Sequence, residues 1–288
     1  MAPLVVIVGP TASGKTAAAI ELAERCGGEI ICADSRTIYR YMDIGTAKPT
    51  SQDQARVPHW GLDLVEPGER FTVADFKTYA VQKIAEIRDR GGVPFLVGGT
   101  GLYVDAIVLD YQFGPDANLD QRKRFESMTV EQLHKYCSDN NINLPDNKYN
   151  KRYVIRAIEQ STDTIRGKDS PISNSIIVGI ATDRAVLRER IQQRSMLLFQ
   201  HGMVEEADRL AERYGWHSEA MTGNIYRLVY QFRSGEINES ELVERFEIAD
   251  WQLAKRQLTW LKRRDFIEWL SLEQVVPYLS DRLADYKK

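Results

Sequence analysis

Leu4-Val-Val-Ile-Val8 runs straight into Gly9, Pro10, Thr11, Ala12, Ser13, Gly14, Lys15 and Thr16, and that join decides the fold. Five consecutive apolar residues, mostly β-branched, read as a fully buried strand. The eight that follow match G-x-x-x-x-G-K-[ST], and the stretch from about Lys15 to Arg25 has a helical pattern. Strand, glycine-rich turn and helix N-terminus together make a phosphate-binding loop. Its glycines let backbone N–H groups converge on phosphate oxygens, and the helix dipole favours an anion. Lys15 adds a mobile cation, and Thr16 offers a hydroxyl to Mg²⁺. The motif specifies a di- or triphosphate without saying which; nucleotide binding, as in ATP- or GTP-driven chemistry, is its usual use.

Further along, the same grammar repeats. Ile30-Ile-Cys-Ala33 is a second short apolar run, ending at Asp34. Thr72 with Asp75 three residues on resembles a capping box, and Val73, Phe76, Ala80, Ile84 and Ile87 keep a helical period behind it. Gly91-Gly92 stops that helix, and Pro94-Phe-Leu-Val97 and Ile176-Ile-Val-Gly-Ile180 are further buried strands. Short continuous apolar strands separated by helices predict an α/β fold with a P-loop NTPase-like parallel sheet covered on both faces.

Residues 1–112 then form the core, completed by about 165–183. Residues 113–164 interrupt the alternation, with one clear amphipathic helix from Thr129 to Cys137, and read as a helical insertion. The polar stretch Ser161 to Ser175, with Gly167 and Pro171, reads as a loop. From 184 to 288 the pattern is all helical: a helix capped by Asp183 to about His201, another from Met203 to Tyr214, and a long one from Glu239 to about Arg264.

Composition narrows the class. The chain has 288 residues, 43% hydrophobic and 27% charged, with a mean hydropathy of −0.39. No apolar run approaches the roughly 18 residues of a membrane span, and the start reads as a strand rather than a signal peptide. Three unspaced cysteines (Cys26, Cys32, Cys137) argue against a disulfide framework or zinc site, and a reducing cytoplasmic location is the default. The net charge of −3 excludes a uniformly basic nucleic-acid binder. It does not exclude a local one: Lys255, Arg256, Lys262, Arg263 and Arg264 fall within ten residues that contain no acid.

Candidate chemistry sits at predicted strand ends. Asp34 could be a metal acid, a general base at the sheet's carboxyl edge, or a helix cap. Gly98-Gly99-Thr100-Gly101 follows a strand, permits close approach and presents a hydroxyl, although such turns are more often structural. Gly45-Thr46-Ala47-Lys48-Pro49 and Pro58-His59 read as solvated loops. His134, His201 and His217 have no metal-ligand spacing, and no N-K-x-D base-reading motif is present. Arg256, Thr259 and Arg263 share one helix face with Gln252, flanked by Lys255 and Lys262. By spacing alone that face is a solvated helix end, with RNA binding the sharper alternative.

Taken together, these segments resemble the tRNA dimethylallyltransferase (tRNA isopentenyltransferase) family. The matching pieces are Gly9–Thr16, Ala33-Asp-Ser35 with Ile38-Tyr39, Met42–Pro49, Val57-Pro-His59, Val97–Tyr103, Arg156-Ala-Ile-Glu159 and Lys255–Trp260. They occur in family order across nearly the whole chain. The chain departs from the family at Trp60, where a second histidine is usual, and at Tyr153, where an arginine is. It also lacks the usual Thr-Arg pair in the segment before Lys255, which carries Asp250 instead.

The resemblance implies transfer of a dimethylallyl group from its diphosphate to N6 of the adenosine just 3′ of the anticodon in tRNA. Mg²⁺ is the implied cofactor, and dimethylallyl diphosphate and the tRNA anticodon stem-loop are the implied partners, with a monomer as the working unit. Gly9, Pro10, Thr11, Ala12, Ser13, Gly14, Lys15 and Thr16 would hold the diphosphate, Thr16 through Mg²⁺. Asp34 is then the general base, with Thr100 and Arg122 contacting substrate near the reacting centre. Asp34, Ser35, Arg36, Thr37, Thr100, Arg122, Arg152 and Arg156 become tRNA contacts, as do Lys255, Arg256, Gln257, Thr259, Trp260 and Lys262. The insertion would bind the anticodon arm. An adenylate isopentenyltransferase acting on AMP or ATP would share the loop and base but need neither insertion nor basic helix. A P-loop small-molecule kinase predicts ATP turnover, and a non-catalytic tRNA-binding module would have no use for Lys15, Thr16 and Asp34.

Overall fold

Leu4–Val8 (β1) is buried along its whole length because it lies in the interior of a six-stranded parallel sheet, paired on both edges. The computed structural model describes residues 1–113, 119–160, 167–218 and 220–286. The phosphate loop leads from β1 into α1 (Lys15–Cys26), followed by β2 (Gly28–Cys32), α2 (Ser51–Arg56), β3 (His59–Trp60), α3 (Val73–Asp89), β4 (Val93–Gly98) and α4 (Gly101–Val108). The helices α5 (Leu119–Ser127), α6 (Val130–Asp139) and α7 (Lys151–Gln160) come next. The chain returns through β5 (Ser175–Ala181), α8 (Arg184–Gln200), α9 (Met203–Tyr214), α10 (Asn224–Arg233) and α11 (Glu239–Leu261), and ends with β6 (Glu268–Ser271) and α12 (Leu272–Tyr286).

The strand order is β3-β2-β4-β1-β5-β6, which gathers the carboxyl ends of β1, β2 and β4 side by side. Alternation sorts the side chains into two layers. Val5, Ile7, Ile30, Phe95 and Val178 face α1 and α12, whereas Leu4, Val6, Ile31 and Leu96 face α3 and α4. The expected capping box of Thr72 with Asp75 is reciprocal and starts α3, and Thr129 with Gln132 forms a second one, not read from the sequence, that starts α6. A third apolar cluster packs α9, α10 and the first half of α11 around Ile38, Tyr39 and Met42.

Two compact units result, one of residues 1–108 with 170–288 and the other of residues 109–169. The sequence reading put the insertion at 113–164. The second unit has its own small core of Phe125, Leu133, Cys137, Val154, Ile155 and Ile158. Of the expected 161–175 loop, residues 161–166 lie outside the described residues, 167–174 carry no helix or strand, and Ser175 opens β5. No helix among the described residues is long and apolar enough to cross a membrane.

Three expectations fail. Pro58-His59 is not simply a solvated loop, because His59 is half-buried and opens β3 against β2. The region from 184 to 288 is not all helical, because Glu268-Trp-Leu-Ser271 forms β6 against β5. This edge strand is exposed or half-buried at every position, so it lacks the continuous apolar run that marks its neighbours. Nor is Gly45–Pro49 simply a solvated loop. Lys48 is buried, and its ammonium donates to Tyr39 O at 3.0 Å, Asp43 Oδ1 at 2.6 Å and Asp63 Oδ1 at 2.7 Å.

The last residue of β4 must be glycine. A Cβ on Gly98 would lie 2.1 Å from Ala33 O, a backbone atom that cannot step aside. Gly98→Ala is therefore expected to destabilise the fold by about 3 kcal/mol, the upper end for overpacking, and a urea unfolding curve measures it. A midpoint equal to wild type would contradict this packing.

Candidate active site

The carboxyl ends of β1, β2 and β4 open into one pocket of about 600 Å³. Gly14 caps α1 in the left-handed region at φ 91°, and Ala12 is also at positive φ, so the loop curls around a point facing the helix N-terminus. Thr16 lines the pocket, whereas Ser13 is fully buried within the loop and is not part of the lining.

Lys15 donates to Pro10 O at 3.0 Å. Burial pushes its pKa from 10.5 down to about 8, with Asp34 opposing the shift and Arg194 adding to it. Cys32 beneath it is pushed up to about 12 by burial, reinforced by the Asp34 charge, so this thiol stays inert.

Asp34 lies two residues past the end of β2. Its Oδ1 accepts the N–H of Arg36 at 2.8 Å, which fixes the carboxylate in a tight local turn. Thr100 locks the next residue, its Oγ1 accepting Ser35 N–H at 3.1 Å, while its own N–H donates to Ala33 O at 3.2 Å. The β2 and β4 ends are thus stitched together, and Asp34, Ser35, Arg36, Thr37 and Thr100 all line the pocket with the phosphate loop.

The loop that closes the wall is held from a distance. Glu206 on α9 is buried and accepts the N–H groups of Asp43 at 2.9 Å, Ile44 at 2.7 Å and Gly45 at 2.9 Å, plus the Tyr226 hydroxyl at 2.8 Å. Sequence reasoning missed Glu206, which looks like any helical glutamate. It also missed Arg194 on α8, which lines the pocket, contacts the Thr11 hydroxyl and pairs with Asp250 at 3.3 Å. Nothing in its local pattern marks it; only the sheet brings residue 194 to residue 11.

The basic helix divides into two faces. Lys255, Arg256, Thr259 and Lys262 are exposed, Arg256 also at the pocket rim. Gln257 points inward, its Oε1 accepting Thr11 N–H at 2.8 Å. Trp260 donates to Asp105 Oδ2 at 2.8 Å, a carboxylate that Arg264 also holds, at 2.7 Å. Trp60 is likewise packed, donating to Glu29 at 2.7 Å with the Lys83 ammonium 4.5 Å over its ring. Arg122, Arg152 and Arg156 belong to the second unit. There Arg122 pairs with Glu126 at 3.2 Å and Glu159 at 3.5 Å, Arg156 pairs with Glu159 at 3.3 Å, and Arg152 is exposed.

Residues 37–264 match the family model described as IPP transferase, and residues 2–58 match that of isopentenyl transferase. The chain belongs to the IPP transferase family. Among its relatives, the tRNA dimethylallyltransferase of Shouchella clausii is 38% identical, covering 99% of this chain and 95% of its own. That of Acetivibrio thermocellus is 37% identical, covering 94% and 92%. The crystal structure of the tRNA isopentenylpyrophosphate transferase from Bacillus halodurans superposes with a TM-score of 0.76 at 34% identity, covering 99% of this chain and 98% of that one. For this IPP transferase the comparison fixes the family and the P-loop NTPase-like architecture.

The Lys15 shift has a measurable sign. The unfolded chain keeps the lysine proton up to about 10.5, whereas the native ligand-free protein sheds it above about 8. Stability therefore rises with pH between those values, and below them the desolvated ammonium is a cost. In chelator and without diphosphate, Lys15→Met should melt higher than wild type at pH 7, and the gap should narrow as pH rises from 8 towards 10. A constant gap would mean that Lys15 is not desolvated.

Proposed function

We propose that this protein transfers the dimethylallyl group of dimethylallyl diphosphate to N6 of the adenosine 3′-adjacent to the anticodon in tRNA, releasing diphosphate. The observation that carries the reading is the placement of Asp34 and the phosphate loop in one pocket. A proton acceptor and an anion cradle share it, and Lys15 feels the Asp34 charge. The names of the relatives supply the acceptor and the group transferred.

In this mechanism the adenine N6 forms its bond to the allylic carbon as the C–O bond breaks, and the electron pair leaves with the diphosphate. Negative charge grows on that group, so backbone N–H groups around Gly14, the Lys15 ammonium and Arg194 stabilise the transition state more than the ground state. N6 is a weak nucleophile because its lone pair is delocalised into the ring, and Asp34, fixed by Arg36 N–H, accepts its proton as the new N–C bond forms. Thr100 positions that turn and faces the substrate.

A divalent cation suits the donor set. The Thr16 hydroxyl lines the pocket with Lys15 and Asp34, and an ion such as Mg²⁺ takes few protein oxygens and completes its shell with phosphate and water. The Thr16 hydroxyl would hold it, and it would supply charge neutralisation of the departing diphosphate.

For tRNA, the exposed Lys255, Arg256, Thr259 and Lys262 on α11 and the pocket-lining Ser35, Arg36 and Thr37 are the proposed contacts in the first unit. Arg122, Arg152 and Arg156 are those of the second, the proposed anticodon-arm domain. Extracting a stacked loop base requires such arginine-rich, pocketed surfaces.

Nucleoside mass spectrometry tests the reading. Unmodified tRNA incubated with the protein, Mg²⁺ and dimethylallyl diphosphate should yield N6-isopentenyladenosine, with AMP and ATP left unmodified; product on AMP alone would reverse the assignment. Asp34→Ala should lower turnover by about a hundredfold or more with tRNA affinity retained, and unchanged turnover would remove it as the base. Lys255→Ala combined with Lys262→Ala should weaken tRNA binding and flatten its salt dependence by about two counterions. A slope equal to wild type would return this face to solvent.

A further inference from the structure

Beyond the catalytic set, the inward face of α11 reaches the phosphate loop. Asp250 and Gln257 lie seven residues apart, on one side of the helix. Both act on Thr11, from opposite chemical ends. Gln257 Oε1 takes the Thr11 N–H at 2.8 Å, and the Thr11 hydroxyl meets the guanidinium of Arg194, which Asp250 holds at 3.3 Å. The Asp250 side chain is 4% exposed, and Arg194 is the partner of its carboxylate. The Arg194 Nε is buried with no partner among the described residues. This arginine is therefore tethered on its buried side by Asp250 and Thr11, while the residue lines the pocket that holds the phosphate loop.

We propose that Asp250 and Gln257 are positioning residues, which hold Arg194 and Thr11 in the geometry that receives the substrate's diphosphate. The inference rests on the functional reading above and extends it to residues that touch no reacting atom. Two observations favour it over a purely structural role. Burying a carboxylate beside an anion site is unfavourable for the anion, and burial also raises the Asp250 pKa, with Arg194 and then Lys15 opposing. Such a charge is better explained by what it orients than by the packing it provides. In addition, Gln257 occupies the first N–H after Pro10, so the cradle is left to the N–H groups nearer α1.

The sign of one binding change separates the alternatives. If Asp250 were only a nearby negative charge, Asp250→Asn would tighten anion binding. If it orients Arg194, the same isosteric change loosens binding. Titration calorimetry with inorganic diphosphate and Mg²⁺, in the full chain without tRNA, should show Kd rising about tenfold, the loss expected for a displaced charge-assisted contact. In turnover, KM for dimethylallyl diphosphate should rise while KM for tRNA stays within about twofold. Gln257→Leu should also raise the diphosphate Kd, and it carries the test if Asp250→Asn does not fold.

A Kd that is unchanged or lower in the folded variant overturns the proposal. So does a lowered melting point with both KM values unmoved, since that is what a structural role predicts. Failure of the wild-type protein to bind diphosphate overturns the functional reading itself, a result distinguishable from either.

Discussion

Desolvating an ammonium costs free energy that only a nearby anion can return, and the Lys15 cleft is arranged around that fact. Neighbouring carboxylates recover part of it: Asp34 and Asp250 both raise the Lys15 pKa, yet it still falls to about 8. The native protein thus keeps a cation short of compensation at the N-terminus of α1, where backbone N–H groups are also unspent. The proposed diphosphate ligand would satisfy these groups together. The sheet exists, in this sense, to hold incompletely solvated donors apart from water until the right anion arrives.

Stability elsewhere offsets the cost. Glu206 accepts four hydrogen bonds inside the protein and Lys48 donates three, so the 42–49 segment is a polar knot whose charges are fully occupied. Charge-assisted contacts of this kind are worth about 1.5–3 kcal/mol each. Under-satisfied groups line the pocket and satisfied ones brace its wall, which lets the site stay strained in charge without being loose in shape.

Much of this could be read before the fold was known, for a clear physical reason. A phosphate loop, a strand-end aspartate and capping boxes are local: neighbouring residues dictate each, so Gly9–Thr16, Asp34 and Thr72 announced themselves. Arg194, Glu206 and Asp250 act over separations of 56 to 183 residues, and nothing beside them in the chain distinguishes them from surface charges on amphipathic helices. β6 escaped because an edge strand with one covered face has no continuous apolar run. Spacing did place Gln257 and Trp260 within the right helix segment. It could not tell the face that reads outward from the face that seats against Thr11 and Asp105, because charge and aromatic character occur on both.

The strand order carries a consequence for synthesis. β1 is made first but acquires its neighbour β5 only after residue 175, and Glu206, Asp250 and Gln257 follow later still. A nascent chain on the ribosome therefore displays a complete phosphate-loop sequence long before it has a phosphate site. The groups proposed to bind come together only once β5 has paired with β1 and residues 194, 250 and 257 have followed it.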